Sequence, residues 1–314
     1  MSIPSKEAVI AAMKRIKPHV HNTPILTSTL LNEMSGAQLY FKCENFQRMG
    51  AFKMRGALNA MLQLSEAQQQ SGVVTHSSGN FAQAVSLAAK TLGIKAYIVM
   101  PESAPEVKKA AVKQYGGEII LCPSTIEDRE RTAAAIVKSK GATFLHPSND
   151  LSVILGQGTA AIELLVSQED LDYLLTPVGG GGLIAGTALA AHYLSTRCIT
   201  IGGEPFEADD AYRSLISGKI ESNKTVNTIA DGLKTQLGDI NFPIIKKLVK
   251  EIIRVEEDEI VQAMRLIYER LKIIIEPSCA VPFAAVLRKK EIFRDKKVGI
   301  ILSGGNVDLS KLPF

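Results

Sequence analysis

Side chains able to bind and transform a small polar molecule fall at widely spaced points of this sequence. They are the turn Ser77-Ser78-Gly79-Asn80, the imidazole of His146, the run Gly179-Gly180-Gly181-Gly182, the carboxylate of Glu204 and the turn Ser303-Gly304-Gly305-Asn306. The glycine run lies between Thr176-Pro177-Val178 and an apolar stretch, residues 183–194, that has the pattern of a helix. A helix start exposes backbone N–H groups and the positive end of the helix dipole, and such a nest of amides binds phosphate. Glycines let the backbone approach an anion with no Cβ in the way. No Gly-Lys-Ser/Thr follows, which excludes the nucleoside-triphosphate loop. Beside the phosphate cradle stands the reading of a tight turn with no ligand. A further alternative is dinucleotide binding, since Gly180-x-Gly182-x-x-Ala185 satisfies that fingerprint and Glu204 lies where the ribose-binding acid is expected. An NAD-dependent oxidoreductase would follow from it, but Lys53 and the two serine-containing turns would then have no role.

The elements that must position these residues are legible as alternation. Short β-rich runs at 73–76, 96–100, 118–121, 142–145, 171–176, 199–201 and 298–302 alternate with helical stretches. Repeated β-α alternation implies parallel strands joined by crossover helices, so the predicted fold class is α/β, with two doubly wound parallel-sheet lobes. Ligands of such sheets bind outside the carboxyl ends of the strands, where the special residues fall. Residues 72–149 form consecutive β-α units and are expected to make a small mobile domain, with 1–71 and 150–314 together making the large one. At the start, Val9, Ile10, Met13 and Ile16 recur at helical spacing behind Ser5 as N-cap, and Pro18 ends that helix.

Composition narrows the function classes. The 314 residues are 46% hydrophobic and 22% charged, enough apolar material for one large core or two smaller ones. The net charge of +4 is small and the 36 basic residues are dispersed, so nucleic acid is not an expected partner. Cys43, Cys122, Cys198 and Cys279 are far apart with no C-x-x-C pair, which argues against a zinc cage or a disulfide framework and for a reducing, cytoplasmic setting. The first residues lack an apolar signal core, and no stretch reaches the ~20 apolar residues of a membrane span.

Taken together, Ala51-Phe52-Lys53-Met54-Arg55-Gly56-Ala57, Ser77-Ser78-Gly79-Asn80, Gly179-Gly180-Gly181-Gly182 and Ser303-Gly304-Gly305-Asn306 resemble, in order and spacing, the signature of fold-type II pyridoxal-phosphate enzymes, the tryptophan synthase β-like kind. Within that group the chain is most similar to serine racemase and the serine, threonine and threo-3-hydroxyaspartate dehydratases. The resemblance implies pyridoxal 5′-phosphate as cofactor, a small amino acid as substrate and a homodimer; no membrane partner is expected, from the lack of an apolar span. The implied reaction is β-elimination of water from a hydroxy-amino acid to give a 2-oxo acid and ammonia, with racemisation as a second activity. Lys53 would form the Schiff base with the cofactor, its neutral amine moving protons at Cα. Phe52 would pack beside the cofactor ring, Asn80 would bond the phenolic oxygen, and Ser303 would face the pyridine nitrogen. A hydroxyl cannot protonate that nitrogen as a carboxylate would, which disfavours transamination.

By the same resemblance Ser77, Ser78 and Asn80 would meet the substrate. Ser78 would be the second proton carrier a racemase needs, unless its hydroxyl only closes its own turn. Arg129 and His146 are candidates for the substrate's distal groups, against an ion-paired surface helix for the first and a structural hydrogen bond for the second. Glu204, the carbonyl of Ala208, and Asp210 resemble the family's site for Mg²⁺ or Ca²⁺, whereas an acidic run by itself would read as a solvated face. Phe81 departs from the family's usual histidine and is expected to make the site's mouth more apolar. It leaves the choice of substrate open and is the one feature favouring a non-catalytic cofactor-binding or ligand-sensing relative.

Overall fold

The computed structural model describes residues 3–314. All seven expected strands are present, within two parallel sheets. The small sheet holds β3 (Val73–His76), β4 (Ala96–Pro101), β5 (Glu118–Cys122) and β6 (Thr143–Phe144) in the order β5-β4-β3-β6. The large sheet runs β1-β2-β10-β7-β8-β9, built from β1 (Ile25–Leu26), β2 (Gln38–Cys43), β7 (Tyr173–Pro177), β8 (Ile199–Pro205), β9 (Val249–Val255) and β10 (Lys297–Leu302). Only the β1–β2 pair is antiparallel.

The expected strands inside the sheets, β3, β4, β7, β8 and β10, are mostly buried and mostly apolar, whereas the edge strands β5 and β6 are partly exposed. In the large sheet, Leu175 and Ile300 belong to one core layer and Leu174 and Ile301 to the other, the period-2 alternation of a strand between two helix layers. Of the three strands that escape the sequence reading, β1 is only two residues long and the other two carry charge. β2 contains Lys42, wholly buried but ion-paired, and β9 is an edge strand with Lys250 exposed and Glu251 and Arg254 half-buried.

The first helix covers Lys6–Ile16, with the Ser5 hydroxyl accepting from the Ala8 N–H at 3.4 Å. The helix Lys53–Met61 is the seam of the molecule. It shares a core with Phe81, Val85 and Ile98 of the small-sheet side, and packs closely on the helix Leu151–Ser167 of the large one, where Gly56 and Gly156 let the two backbones approach.

Candidate active site

Lys53 opens the helix Lys53–Met61 and is tied to the end of the last strand. The Phe52 N–H donates to the Ser303 carbonyl at 3.0 Å, Ala51 bridges Gly304, and the Gly305 N–H donates to the Gly50 carbonyl at 2.9 Å. At Gly304 a Cβ would meet the Glu276 carboxylate at 2.9 Å and the Ala51 Cβ at 3.0 Å, so a larger residue would displace Glu276. The Lys53 amine donates to the Pro147 carbonyl at 2.8 Å and lies 4.9 Å from the centroid of Phe52 and 5.7 Å from that of Phe81. Burial brings its pKa down to about 8, against the opposing pull of Glu276. An amine so placed has a far larger neutral fraction near physiological pH than an ordinary lysine, and that fraction can act as nucleophile or base.

Asn80 begins the helix Asn80–Leu92, and its amide N donates to both oxygens of Glu276 at 2.9 and 3.0 Å while its oxygen accepts from Asn306 at 2.9 Å. The role of capping its own turn is therefore not the one Asn80 takes. Burial raises the Glu276 carboxyl to about 7, partly offset by the Asn80 bond. Glu276 escaped the sequence reading; its signal is Glu276-Pro277, an N-cap followed by proline at the head of the helix Pro277–Arg288. In the turn before Asn80 it is Ser77 whose hydroxyl accepts from the Gly79 N–H, at 3.3 Å. Ser78 is half-buried, and its hydroxyl makes no hydrogen bond among the described residues. Ser303 is buried beside Cys279.

The glycine run leads into the helix Gly182–Leu194, and among the described residues no backbone carbonyl accepts from the amides of Gly179, Gly180 or Gly181. Its backbone is clamped from the other side. A Cβ on Gly179 would meet Leu233 Cα at 2.9 Å, one on Gly180 would overlap the Ser148 hydroxyl, and one on Gly182 would lie 2.5 Å from Gln157 Oε1. Asn241 donates to the carbonyls of Gly180 and Ser148 at 2.8 and 3.0 Å. Ser148, Gln157 and Asn241 carry no sequence signal, since each acts by position in a loop or on a helix face.

His146 accepts from the N–H groups of Ser148 and Asn149 through Nδ1, at 3.2 and 2.8 Å, which leaves the proton of the neutral ring on Nε2. Burial, with the neighbouring His76 and Lys53, holds its pKa down at about 4. His146 is thus both the structural histidine that shapes the Pro147 turn and a neighbour of the lysine. Arg129 donates to the Ser124 and Thr125 carbonyls at the start of its own helix, and it is Arg131 that pairs with Asp128. Phe81 is 2% exposed, packed into the core beside the lysine instead of lining the mouth as expected.

Glu204 and Asp210 are wholly buried, as is Ala208 in the short turn Phe206–Ala208. The solvated acidic face is thereby corrected, because Asp209 alone of that pair of aspartates makes ion pairs, to Arg213 and Arg254. The Glu204 carboxylate accepts from the N–H groups of Ala211 and Tyr212 at 3.0 and 2.8 Å. Asp210 accepts from the Leu237 N–H at 3.1 Å, and its other oxygen has no partner. Burial and the Asp210 charge push Glu204 well up, and burial lifts Asp210 to about 6. No cluster of three or more His, Cys, Asp or Glu side chains occurs among the described residues, so carbonyls or waters would have to complete any cation site.

Comparison with known proteins places this geometry. A family model described as "Pyridoxal-phosphate dependent enzyme" matches residues 16–304. The chain is 49% identical over 314 residues to a beta-hydroxyaspartate dehydratase of Paracoccus denitrificans, covering 100% of both chains. It is 48% identical over 312 residues to an L-threo-3-hydroxyaspartate ammonia-lyase of Saccharomyces cerevisiae, covering 99% of this chain and 96% of that one. Among solved structures, the serine racemase of Dictyostelium discoideum superposes with a TM-score of 0.93 at 50% identity, over 96% of this chain and 98% of that one.

Proposed function

The chain belongs to the pyridoxal-phosphate dependent enzyme family, and we propose that it removes water and ammonia from a small 3-hydroxy-amino acid, of the serine or threo-3-hydroxyaspartate kind, with serine racemisation at the same lysine. The observation that carries this reading is the Lys53 amine, lowered to about 8 by burial and held at the seam between the lobes. The dinucleotide alternative falls with the family match, and Glu204 is already engaged by two backbone amides. The residues fit pyridoxal 5′-phosphate: the glycine run presents unengaged amides for a phosphate, and a lysine with a readily neutralised amine stands at the seam.

When bound, the cofactor supplies the electron sink for negative charge at Cα. Lys53 takes the Cα proton and passes a proton to the departing β-hydroxyl, which leaves as water; hydrolysis of the remaining enamine gives the oxo acid and ammonia. With the cofactor bound, Ser303 would offer a hydroxyl, not a carboxylate, to the ring nitrogen, and Phe52 would pack beside the ring. Glu276, bonded to the Asn80 amide, would position Asn80 for the phenolic oxygen. Ser77, Ser78 and Asn80 meet the substrate, and Arg129 and His146 serve its distal groups through small-lobe movement. That movement would be of residues 72–149 against 1–71 and 150–314. A homodimer in a reducing cytoplasm completes the reading, on family grounds and on four free cysteines. No helix of the described residues is long and apolar enough to cross a membrane.

Racemisation needs a proton carrier on each face of Cα. Lys53 serves one face and the Ser78 hydroxyl, left unengaged because Ser77 closes the turn, serves the other. Ser78→Ala is expected to keep much of the oxo-acid formation from L-serine and to lose D-serine formation and turnover by about 10²-fold or more. Oxo-acid assays on both serine enantiomers and on threo-3-hydroxyaspartate, with chiral chromatography of residual serine, test both points. Oxo acid from none of these substrates would sink the function, and undiminished interconversion in the variant would remove Ser78 from it.

A divalent cation, Mg²⁺ or Ca²⁺, at Glu204, the Ala208 carbonyl and Asp210 would resolve two buried carboxyls that lack a cation and give Asp210's unpartnered oxygen a ligand. Chelation is then expected to lower the wild-type Tm, and added Mg²⁺ to restore it, because a ligand of the folded state alone stabilises by mass action. Asp210→Ala should respond to neither. Equal chelator sensitivity in both proteins would place the ion elsewhere.

A further inference from the structure

The helix that carries Asn80 turns its next residue, Phe81, into the core, where the ring lies 5.7 Å from the Lys53 amine while Phe52 lies 4.9 Å away. With both rings beside it, the amine has one direct polar partner among the described residues, the Pro147 carbonyl at 2.8 Å. The ionisable groups facing it are few. Glu276, at the head of the helix Pro277–Arg288, favours the ammonium form; His146, in the loop after β6, stays uncharged down to about pH 4 and adds no charge at neutrality. Gln157 donates at 3.0 Å to the same Pro147 carbonyl, so that acceptor is fixed in place.

We propose that Phe81 is a positioning residue for Lys53: with Phe52 it forms an apolar sleeve along the half-buried lysine, so that the amine rests on the Pro147 carbonyl with less water around it than a surface lysine has. The inference rests on the reading of Lys53 as the cofactor lysine only for its consequence, since the sleeve itself is a property of the chain alone. Two effects of an aromatic neighbour oppose each other. The ring face attracts a cation, which would favour the ammonium, whereas exclusion of water disfavours it. The lowering of the Lys53 pKa to about 8 supports dominance of exclusion.

The test is competitive acetylation of the full-length apo-protein with trace acetic anhydride across pH, read as label on the Lys53 peptide by mass spectrometry. Wild type is expected to titrate near about 8. Phe81→His, which puts a neutral polar ring in the sleeve, should raise the midpoint by about one unit, with a corresponding loss of Lys53 labelling at pH 7. Phe81→Leu keeps the sleeve apolar without a ring face, and its midpoint should stay or rise as water enters the smaller packing. A histidine variant that folds with the wild-type midpoint overturns the proposal. So does a leucine variant whose midpoint falls, since the ring would then have been holding the cation; this outcome decides the matter even if the histidine variant fails to fold. Borohydride trapping of pyridoxal phosphate on wild type is the separate arm. Label away from Lys53 would overturn the assigned role of the lysine while leaving the acetylation result to judge the sleeve.

Discussion

Lys53→Ala is expected to lose borohydride-trappable cofactor and to lower oxo-acid formation from hydroxy-amino acids by about 10³-fold or more, because it removes both the covalent anchor and the proton carrier at Cα. The fold should be nearly untouched. The amine makes a single hydrogen bond, to the Pro147 carbonyl, and alanine is a better helix former at the first position of Lys53–Met61. The Tm of the variant, measured without cofactor, should therefore stay within a few degrees of wild type. Turnover surviving at the wild-type rate would refute the mechanism, whereas inactivity with a collapsed Tm would show the lysine to be structural.

The largest stability loss is expected at Arg55, on the same helix. Its guanidinium is wholly buried and bonds both oxygens of Glu44, at 2.7 and 2.8 Å, and both oxygens of Glu163, at 2.8 Å. Lys42 completes the cluster with an ion pair to Glu163 at 2.6 Å, and Thr23 donates to Glu44 at 2.6 Å. Two cations balance two carboxylates, and the cluster ties the lysine-bearing helix to the end of β2 and to the helix Leu151–Ser167. Arg55→Met would leave one cation facing two buried carboxylates, at a cost of about 3–5 kcal/mol. Combining it with Glu44→Gln should recover part of that loss, because Lys42 and Glu163 then remain as a balanced pair. Urea unfolding checks both expectations; a single variant as stable as wild type would show that the cluster contributes nothing.

The sign of the pH dependence follows from Glu44. Burial pushes its carboxyl up, but the Arg55 charge and hydrogen bonds, with Thr23 and Lys42, together outweigh burial and the net pKa lies below the usual 4.5. A carboxyl lowered on folding contributes stability that is present above 4.5 and is lost as pH falls through the lower, folded value. Without Arg55, burial is left opposed only by Lys42 and Thr23, the carboxyl moves up, and the acid loss of stability should begin at higher pH than in wild type. An unchanged acid limb in Arg55→Met would show that Glu44 is not held by Arg55.

The elements that depend on local pattern were determined by the sequence itself. Strands inside the sheets are mostly apolar, the crossover helices between them make the sheets parallel, and the glycine run lies where a strand gives way to a helix. The lysine segment and both serine-containing turns were legible through resemblance, as motifs of fixed order. What only the tertiary structure decided is which distant groups meet: Glu276 against Asn80, Arg55 against Glu44 and Glu163, Asn241 under the glycine run, β2 beside β10, and Phe81 beside the lysine amine instead of at the mouth. A residue such as Lys42 or Glu276 reads as polar, and so as exposed, until its partner is known. Burial of a charge is tolerated only where a counter-charge or hydrogen bond satisfies it. That partner lies far along the chain, at a separation no local periodicity encodes, and folding alone brings it within reach.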